Sequence, residues 1–422
     1  MHYFHYQNKA LYCEEVPVAM LAEQWGTPLY VYSHRTLCRH FQAFDRAFSG
    51  SSHIVCFSVK ANSNGAILRL FQQQGGGADV VSGGELFRAL RAGISPKKIV
   101  YSGVGKKREE IDAALEAGIL MFNIESSQEL QALEEAAAAK NTRAPIAFRI
   151  NPDIDPKTHP YISTGLKMNK FGIDMDSSLE EYRRARELKH IDIVGIDCHI
   201  GSQITSTEPF VEAIRKIMDL IARLRELGIC IQYLDLGGGL GITYSRETPP
   251  HPDDYAQALL KEIRDEGLTL ILEPGRVIVG NAGILITRVL YTKSSSTKNF
   301  VIVDAGMNDL IRPSLYHAHQ EIVPVVQAER ETYCADVVGP ICESGDFLAR
   351  DRMIPRSEAG DLLAVMSSGA YGYAMASNYN SRPRPAEILI AGDTSHLIAK
   401  REIYEDLIRQ ERIPPFLENV HR

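Results

Sequence analysis

The chain has 422 residues, of which 45% are hydrophobic and 23% charged, with a formal net charge of −7. That length exceeds what one hydrophobic core ordinarily organises, so two domains are expected, one of them large enough for a barrel of roughly 250 residues. The composition is that of a soluble globular protein, no apolar run approaches the roughly 18 residues a membrane helix needs, and no basic stripe offers nucleic acid a footprint.

In chain order, the opening Met1–Tyr6 (MHYFHY) lacks the basic start and apolar stretch of a signal peptide, so the cytoplasm is the expected location. Leu29–Tyr32 (LYVY) is a first strand signal. Eight short apolar or β-branched runs then alternate with helical patterns, at Ile54–Val59, Ala78–Ser82, Ile99–Ser102, Met121–Ile124, Ile146–Ile150, Ile191–His199, Ile231–Leu236 and Leu268–Leu272. Between them, Ser126-x-x-Glu129 predicts a capping box ahead of Leu130–Ala139, and Pro209–Leu227 predicts an amphipathic helix. Gln72–Gly76 reads as soft for a helix end. Eight such βα units predict a closed (β/α)8 TIM barrel over residues 35–278. From about Val279 the pattern changes to strand-like runs at Ile284–Tyr291, Phe300–Val303, Ile322–Val326, Leu362–Val365 and Glu387–Ile390. Residues 279–422 are therefore expected to form a mostly β domain of barrel or sandwich type, joined by residues 1–34.

In a barrel of this kind the chemistry lies at the C-terminal ends of the strands. There the chain places Lys60-Ala61-Asn62 after the first run, Arg149 and Asn151 at the fifth, and His199-Ile200-Gly201-Ser202 at the sixth. Gly237-Gly238-Gly239 follow the seventh run, and Glu273-Pro274-Gly275-Arg276 the eighth. Singly, each has an ordinary explanation: a lysine reaches water, a glycine turns, a histidine sits satisfied in a core. Jointly they suggest a ligand site. Glycine lets backbone N–H groups approach phosphate oxygens, and Arg276 adds a charge-assisted contact. A lysine facing the same mouth can form a Schiff base with an aldehyde, and pyridoxal phosphate offers both handles. Its ring nitrogen needs a facing acid, for which Glu273 is the candidate, and its ring a flat partner, for which His199 is the candidate.

These residues sit in segments that resemble the fold-type III pyridoxal-phosphate-dependent decarboxylases, and within them the diaminopimelate decarboxylase family. The segments are Phe57–Asn62 (FSVKAN), Gly77–Leu86 (GADVVSGGEL), His159–Gly165 (HPYISTG), His199–Gln203 (HIGSQ), Asp235–Gly239 (DLGGG) and Glu273–Arg276 (EPGR). The C-terminal half adds Asp304–Tyr316 (DAGMNDLIRPSLY), Gly339–Asp346 (GPICESGD) and Gly369–Gly372 (GAYG).

The resemblance implies decarboxylation of meso-2,6-diaminopimelate to L-lysine and CO2 through an aldimine at Lys60, the last step of lysine biosynthesis. It implies that Lys60, Asp79, Glu85, Arg149, His199, Ser202, Gly237, Gly238, Gly239, Glu273, Gly275, Arg276 and Tyr371 contact the cofactor. Substrate contacts fall on Arg276, Arg312, Tyr316, Glu343 and Tyr371, where the arginines suit the distal carboxylate and Glu343 the distal ammonium. Lys60, Cys342, His199 and Glu273 are the expected catalytic set, with Cys342 supplied by the other subunit of a homodimer as proton donor. The loop around Thr158–Gly172 is expected to close over substrate.

The other six cysteines, at 13, 38, 56, 198, 230 and 334, are expected to be small buried hydrophobes. Neither His2-x-x-His5 nor His317-x-His319 has a converging third ligand, so no metal is expected. Alternatives are a decarboxylase of the same fold acting on ornithine, arginine or a carboxylated polyamine, and a catalytically inactive regulatory binding protein of this fold. The ornithine-type substrates would leave Arg312 without an anion.

Overall fold

The computed structural model describes residues 2–155, 170–263 and 267–418. The HPYISTG motif and the Thr158–Gly172 loop through residue 169 lie outside the described residues. The chain divides into two compact units, one comprising His34–Gly283 and Ser367–Ala374, the other Tyr3–Ser33, Ile284–Met366 and the chain from Met375 onward.

The first unit is the (β/α)8 barrel. Its strands are β1 (His53–Ser58), β2 (Gly77–Val80), β3 (Ile99–Tyr101), β4 (Met121–Ile124), β5 (Ala144–Asn151), β6 (Ile191–Asp197), β7 (Tyr233–Asp235) and β8 (Thr269–Leu272). All neighbouring pairs are parallel, and β8 returns to β1 with Ile271 opposite Ile54, which closes the sheet. A further two-residue strand, Ile173–Asp174, pairs with the end of β5 and has no counterpart in the sequence expectation.

Two expected strands end early for local reasons. After β1 the chain turns into a 3₁₀ segment, Val59–Ala61, which carries Lys60 off the sheet. After β2, Ser82 becomes a helix N-cap, its side chain accepting from the Glu85 N–H. The capping box at Ser126 is only half formed. Ser126 accepts from the Glu129 N–H, but the Glu129 carboxylate turns to the buried Lys106 amine (2.6 Å) and the Glu125 N–H (2.9 Å). A buried ammonium needs its anion more than an exposed N-cap N–H needs its acceptor.

Strand alternation sets what the barrel interior contains. Cys56, Val100, Met121, Ala147 and Ile271 belong to one apolar cluster. Two residues further along the same strands, hence on the same face, stand Ser58, Ser102, Asn123, Arg149 and Glu273. An apolar floor thus lies one step below a polar layer. Outside, the helix Glu208–Glu226 buries Phe210, Ala213, Ile214, Ile217, Leu220, Ile221 and Leu224, spaced three or four apart.

In the second unit a nine-stranded sheet has a main path of seven strands in the order Phe347–Pro355, Thr332–Val338, Asn299–Val303, Gly283–Ser294, Leu29–Ser33, Ala386–Ala391, Thr394–Ala399, with two more branching from it. Leu29–Ser33 pairs in parallel with Ala386–Ala391, Val31 opposite Ile388. Ile322–Pro324 pairs with Leu362–Val365, which also pairs with Gly283–Ser294, and Phe4–Gln7, Ala10–Cys13 and Val16–Pro17 make a small separate sheet. Among the described residues no helix is long and apolar enough to cross a membrane. Cys13, Cys56 and Cys198 are buried and Cys38 half-buried, whereas Cys230 and Cys334 are exposed, which corrects the expectation that all six are buried hydrophobes. Cys230 follows the end of a surface helix and Cys334 lies on a strand face open to solvent.

Phe148 of β5 is fully buried and meets Tyr182 edge-on at 4.7 Å, while the Tyr182 hydroxyl donates to the Gly195 carbonyl at 2.9 Å. Truncating this contact between barrel and helix leaves a cavity that neighbours refill poorly. Phe148→Ala is expected to cost about 3–5 kcal/mol, read as a lower urea midpoint at unchanged slope.

Candidate active site

Lys60 stands at the mouth of the barrel with its Nζ 2.6 Å from Asp79 Oδ2. Asp79 is fully buried, and Ser58 Oγ bridges its Oδ2 (2.8 Å) and the Glu273 carbonyl (2.9 Å). Burial works against the Lys60 charge, but Asp79, Glu273 and Tyr371 outweigh it and hold the amine above its ordinary range. Asp79 Oδ1 is buried with no hydrogen-bond partner among the described residues. Glu85 accepts from the Val81 N–H at 2.8 Å, and burial pushes its carboxyl up to about 7 against the hydrogen bond, with Asp79 adding to the rise.

The glycines after β7 form a cradle that tolerates no side chain. A methyl group at Gly238 would lie 2.2 Å from the Glu273 carbonyl oxygen, and one at Gly239, whose φ is +113°, would lie 2.5 Å from the Gly201 carbonyl oxygen. Gln203 ties the loops after β6 and β7 together, donating to the Ile242 carbonyl (2.6 Å) and accepting from its N–H (3.1 Å). Arg276 donates to Ser202 Oγ (3.0 Å) and to the Tyr244 hydroxyl (2.8 Å), and its guanidinium stands 4.9 Å from the centre of the Tyr371 ring. Tyr371, at φ +55°, is anchored by its N–H to the Ala61 carbonyl beside Lys60 (2.8 Å). Gly275 has no room for a side chain either, since a methyl group would sit 3.0 Å from both Ala61 and Ser58 Cβ.

His199 accepts the Gly238 N–H at Nδ1 (3.1 Å). Burial, then the Arg149 and Lys60 cations, hold this imidazole well below its ordinary pKa, so the ring is neutral. Arg149 pairs with Glu125 (3.0 Å) and lies 3.9 Å from Asp197. Glu273 is buried beside Asp235, Asp79 and Asp197, and burial followed by those like charges pushes its carboxyl well up. Lys60, Asp79, Glu85, Arg149, His199, Ser202, Gly237, Gly238, Gly239, Glu273, Gly275, Arg276 and Tyr371 all belong to the barrel unit.

The remaining residues of the expected site lie in the second unit. There the loops carrying DAGMNDLIRPSLY and GPICESGD are knitted together. Asp346 accepts from the Met307 (2.6 Å) and Ile341 (2.7 Å) N–H groups, and Ser314 donates to the Gly345 carbonyl (2.5 Å). Arg312 is buried at the start of a short helix that ends at the half-buried Tyr316, while Cys342 and Glu343 are exposed. The Cys342 N–H donates to Asn380 Oδ1 (2.7 Å), and the Tyr379 hydroxyl reaches Glu343 at 3.4 Å.

Sequence reasoning gave no role to Ser58, Ser102, Asn123, Glu125, Asp197, Asp235, Gln203 or Tyr244. The available signal was a polar residue inside an otherwise apolar strand, such as Asn123 in Met121–Ile124.

Fold and site together define a barrel enzyme that holds a phosphate-bearing aldehyde against a lysine. The family model "Pyridoxal-dependent decarboxylase, pyridoxal binding domain" matches residues 34–280. A curated diaminopimelate decarboxylase from Haemophilus influenzae is 52% identical, covering 96% of this chain and 98% of its own, and one from Vibrio cholerae is 51% identical, covering 98% and 100%. The crystal structure of diaminopimelate decarboxylase from Helicobacter pylori complexed with L-lysine superposes with a TM-score of 0.91 at 46% identity, covering 93% of this chain and 99% of that one. The chain belongs to the diaminopimelate decarboxylase family of pyridoxal-dependent decarboxylases.

The residues present fit pyridoxal phosphate: a glycine cradle that a Cβ would fill, Arg276 and Ser202 beside it, an amine one loop away, and a buried acid on β8. Gly239→Ala is expected to lower cofactor retention on dialysis at least about tenfold while the far-ultraviolet circular dichroism stays unchanged, since a methyl group there meets backbone rather than a movable side chain. Glu85 gives a pH signature. Its carboxyl titrates near 7 rather than near 4.5, so the folded chain binds the extra proton and stability falls as pH rises through that window. Glu85→Gln is expected to stabilise the cofactor-free protein at pH 8 and to have little effect at pH 4.5, measured by urea unfolding at both.

Proposed function

We propose that this chain decarboxylates meso-2,6-diaminopimelate to L-lysine and CO2, the last step of lysine formation, as a cytoplasmic homodimer. The observation that carries this reading is the Lys60 amine, 2.6 Å from Asp79 beside the glycine cradle, in a chain 52% identical over nearly its whole length to a diaminopimelate decarboxylase. Bound pyridoxal phosphate supplies the electron sink for the pair left behind when CO2 departs.

The chain's own residues do the rest. Asp79 holds the Lys60 side chain in place and stabilises its ammonium, which must shed a proton before the amine can act as a nucleophile. The Gly239 N–H, with Ser202 and Arg276, would hold the phosphate, while Gly237 and Gly238, whose N–H groups go to Asp235 and His199, let the loop come close; Tyr371 and Gly275 would shape its edge. His199, kept neutral, offers a flat face, while Arg149, Glu85 and Glu273 fix the ring's rim. Arg276 and Arg312 bind the substrate's distal carboxylate, Glu343 its distal ammonium, and Tyr316 and Tyr371 line the way. Cys342 of the second copy returns a proton to the carbon that CO2 has left. A substrate such as ornithine or arginine lacks the anion that Arg312 calls for.

Purified protein with pyridoxal phosphate is expected to release CO2 and form lysine from meso-diaminopimelate, and to release none from L-ornithine, L-arginine or L-lysine. Turnover of ornithine or arginine alone would overturn the assignment of Arg312. Lys60→Ala is expected to lose activity entirely, and Cys342→Ala to lose roughly 10²–10⁴-fold in kcat. Mixing these two inactive variants under subunit exchange should restore about a quarter of wild-type activity, as two-fold dimers with shared sites require. No recovery would place both residues in one subunit's site.

A further inference from the structure

Four strand-end side chains, from β7, β4, β3 and β8 in that order, form one hydrogen-bonded chain. Asp235 accepts from the Gly237 N–H at Oδ1 (2.9 Å) and from Asn123 Nδ2 at Oδ2 (3.1 Å). Asn123 Nδ2 also donates to Ser102 Oγ (3.0 Å), and Ser102 Oγ in turn lies 3.4 Å from Glu273 Oε1. Each of the two carboxyl groups also bears on the other's titration. All four residues are 5% exposed or less. Two buried carboxyl groups joined through so short a network disfavour ionising together, so one proton is kept on the pair. Donors occupy both oxygens of Asp235, which suits the anion, whereas among the described residues the hydroxyl of Ser102 is the one side chain donating toward Glu273.

Resting on the function proposed above, we infer that Asp235 is a positioning residue: with Asn123 and Ser102 it keeps a proton on the Glu273 carboxyl before the cofactor arrives. The acid that faces the cofactor's ring nitrogen is then already loaded. The chain supplies the ring's proton from its own interior instead of taking it from solvent. The surroundings agree. Asp79 on β2 and Asp197 on β6 add negative charge around the pair, Lys60 and Arg149 oppose it, and Cys56 lies close to the pair. Burial and these like charges push Glu273 well up, while Asp235, held by its two donors, rises only to about 6.

The test uses the full-length protein freed of cofactor, by infrared difference spectroscopy with pH. The carbonyl stretch of a protonated carboxyl is expected near neutral pH, assigned by its loss in Glu273→Gln. In Asp235→Asn, which keeps shape and removes the neighbouring negative charge, its titration midpoint is expected to fall by about one to three pH units. Asn123→Ala, which leaves both carboxyls in place but strips a donor from the ionised partner and so lets Asp235 compete for the proton, is expected to weaken the Glu273 band near neutral pH. It also keeps the question answerable if Asp235→Asn fails to fold. A band insensitive to both substitutions, or one that survives Glu273→Gln with no neutral-pH component lost, would overturn the proposal. Neither result bears on which amino acid is decarboxylated, and a failed CO2 assay with diaminopimelate would leave the infrared result standing.

Discussion

The barrel is governed by a charge imbalance in its interior. Five buried carboxyl groups, Asp79, Glu125, Asp197, Asp235 and Glu273, lie at the strand ends with the cations Lys60 and Arg149 among them, while the buried Arg276 faces Ser202 and Tyr244 instead. Ionised groups that are buried need partners, and those that find none keep a proton. Lys60 takes Asp79 and Arg149 takes Glu125. The other three acids, Asp197 at 3.9 Å from Arg149, Asp235 and Glu273, are all pushed upward. Such a layer is expensive for the empty protein, so a guest that accepts its protons and hydrogen bonds stabilises the fold as it binds.

Much of this architecture was legible in the sequence because strands buried on both faces read as apolar runs. The barrel strands therefore sit within a few residues of the runs that announce them. In the second unit, Phe347–Pro355 escaped because Arg350, Asp351 and Arg352 interrupt it, and their side chains face solvent or local partners. Thr332–Val338 and Thr394–Ala399 are similarly mixed, each with exposed residues along its length. The site divides the same way. Lys60, His199 and Glu273 stand out because they follow apolar runs, but Asn123 and Ser102 lie within or at the edge of theirs and look like imperfections. Only the closed barrel, with Asn123 reaching both Ser102 and Asp235, turns them into a network.

The second unit carries its motifs differently. There is no ring of strand ends, and the two loops with Arg312 and Cys342 are held by a single carboxylate, Asp346, that accepts N–H groups from both. Gly339 permits this crossing, since a methyl group there would meet the Gly306 Cα at 2.5 Å. The exposed Cys342 thus stands on a short loop pinned by hydrogen bonds, as the proton-donor role proposed for it asks.

The neutral state of His199 and the glycine loop after β7 depend on each other. Its Nδ1 accepts the Gly238 N–H, so the proton of the neutral ring resides on Nε2. Protonating Nδ1 would set two donors against each other and release the middle glycine of the cradle. The nearby Arg149 and Lys60 cations disfavour that proton, and burial disfavours it further. The cations that balance the acids therefore also keep the imidazole neutral. A substitution that removes either cation lets the imidazole's pKa rise back toward its ordinary value, against burial, without touching the glycine loop itself.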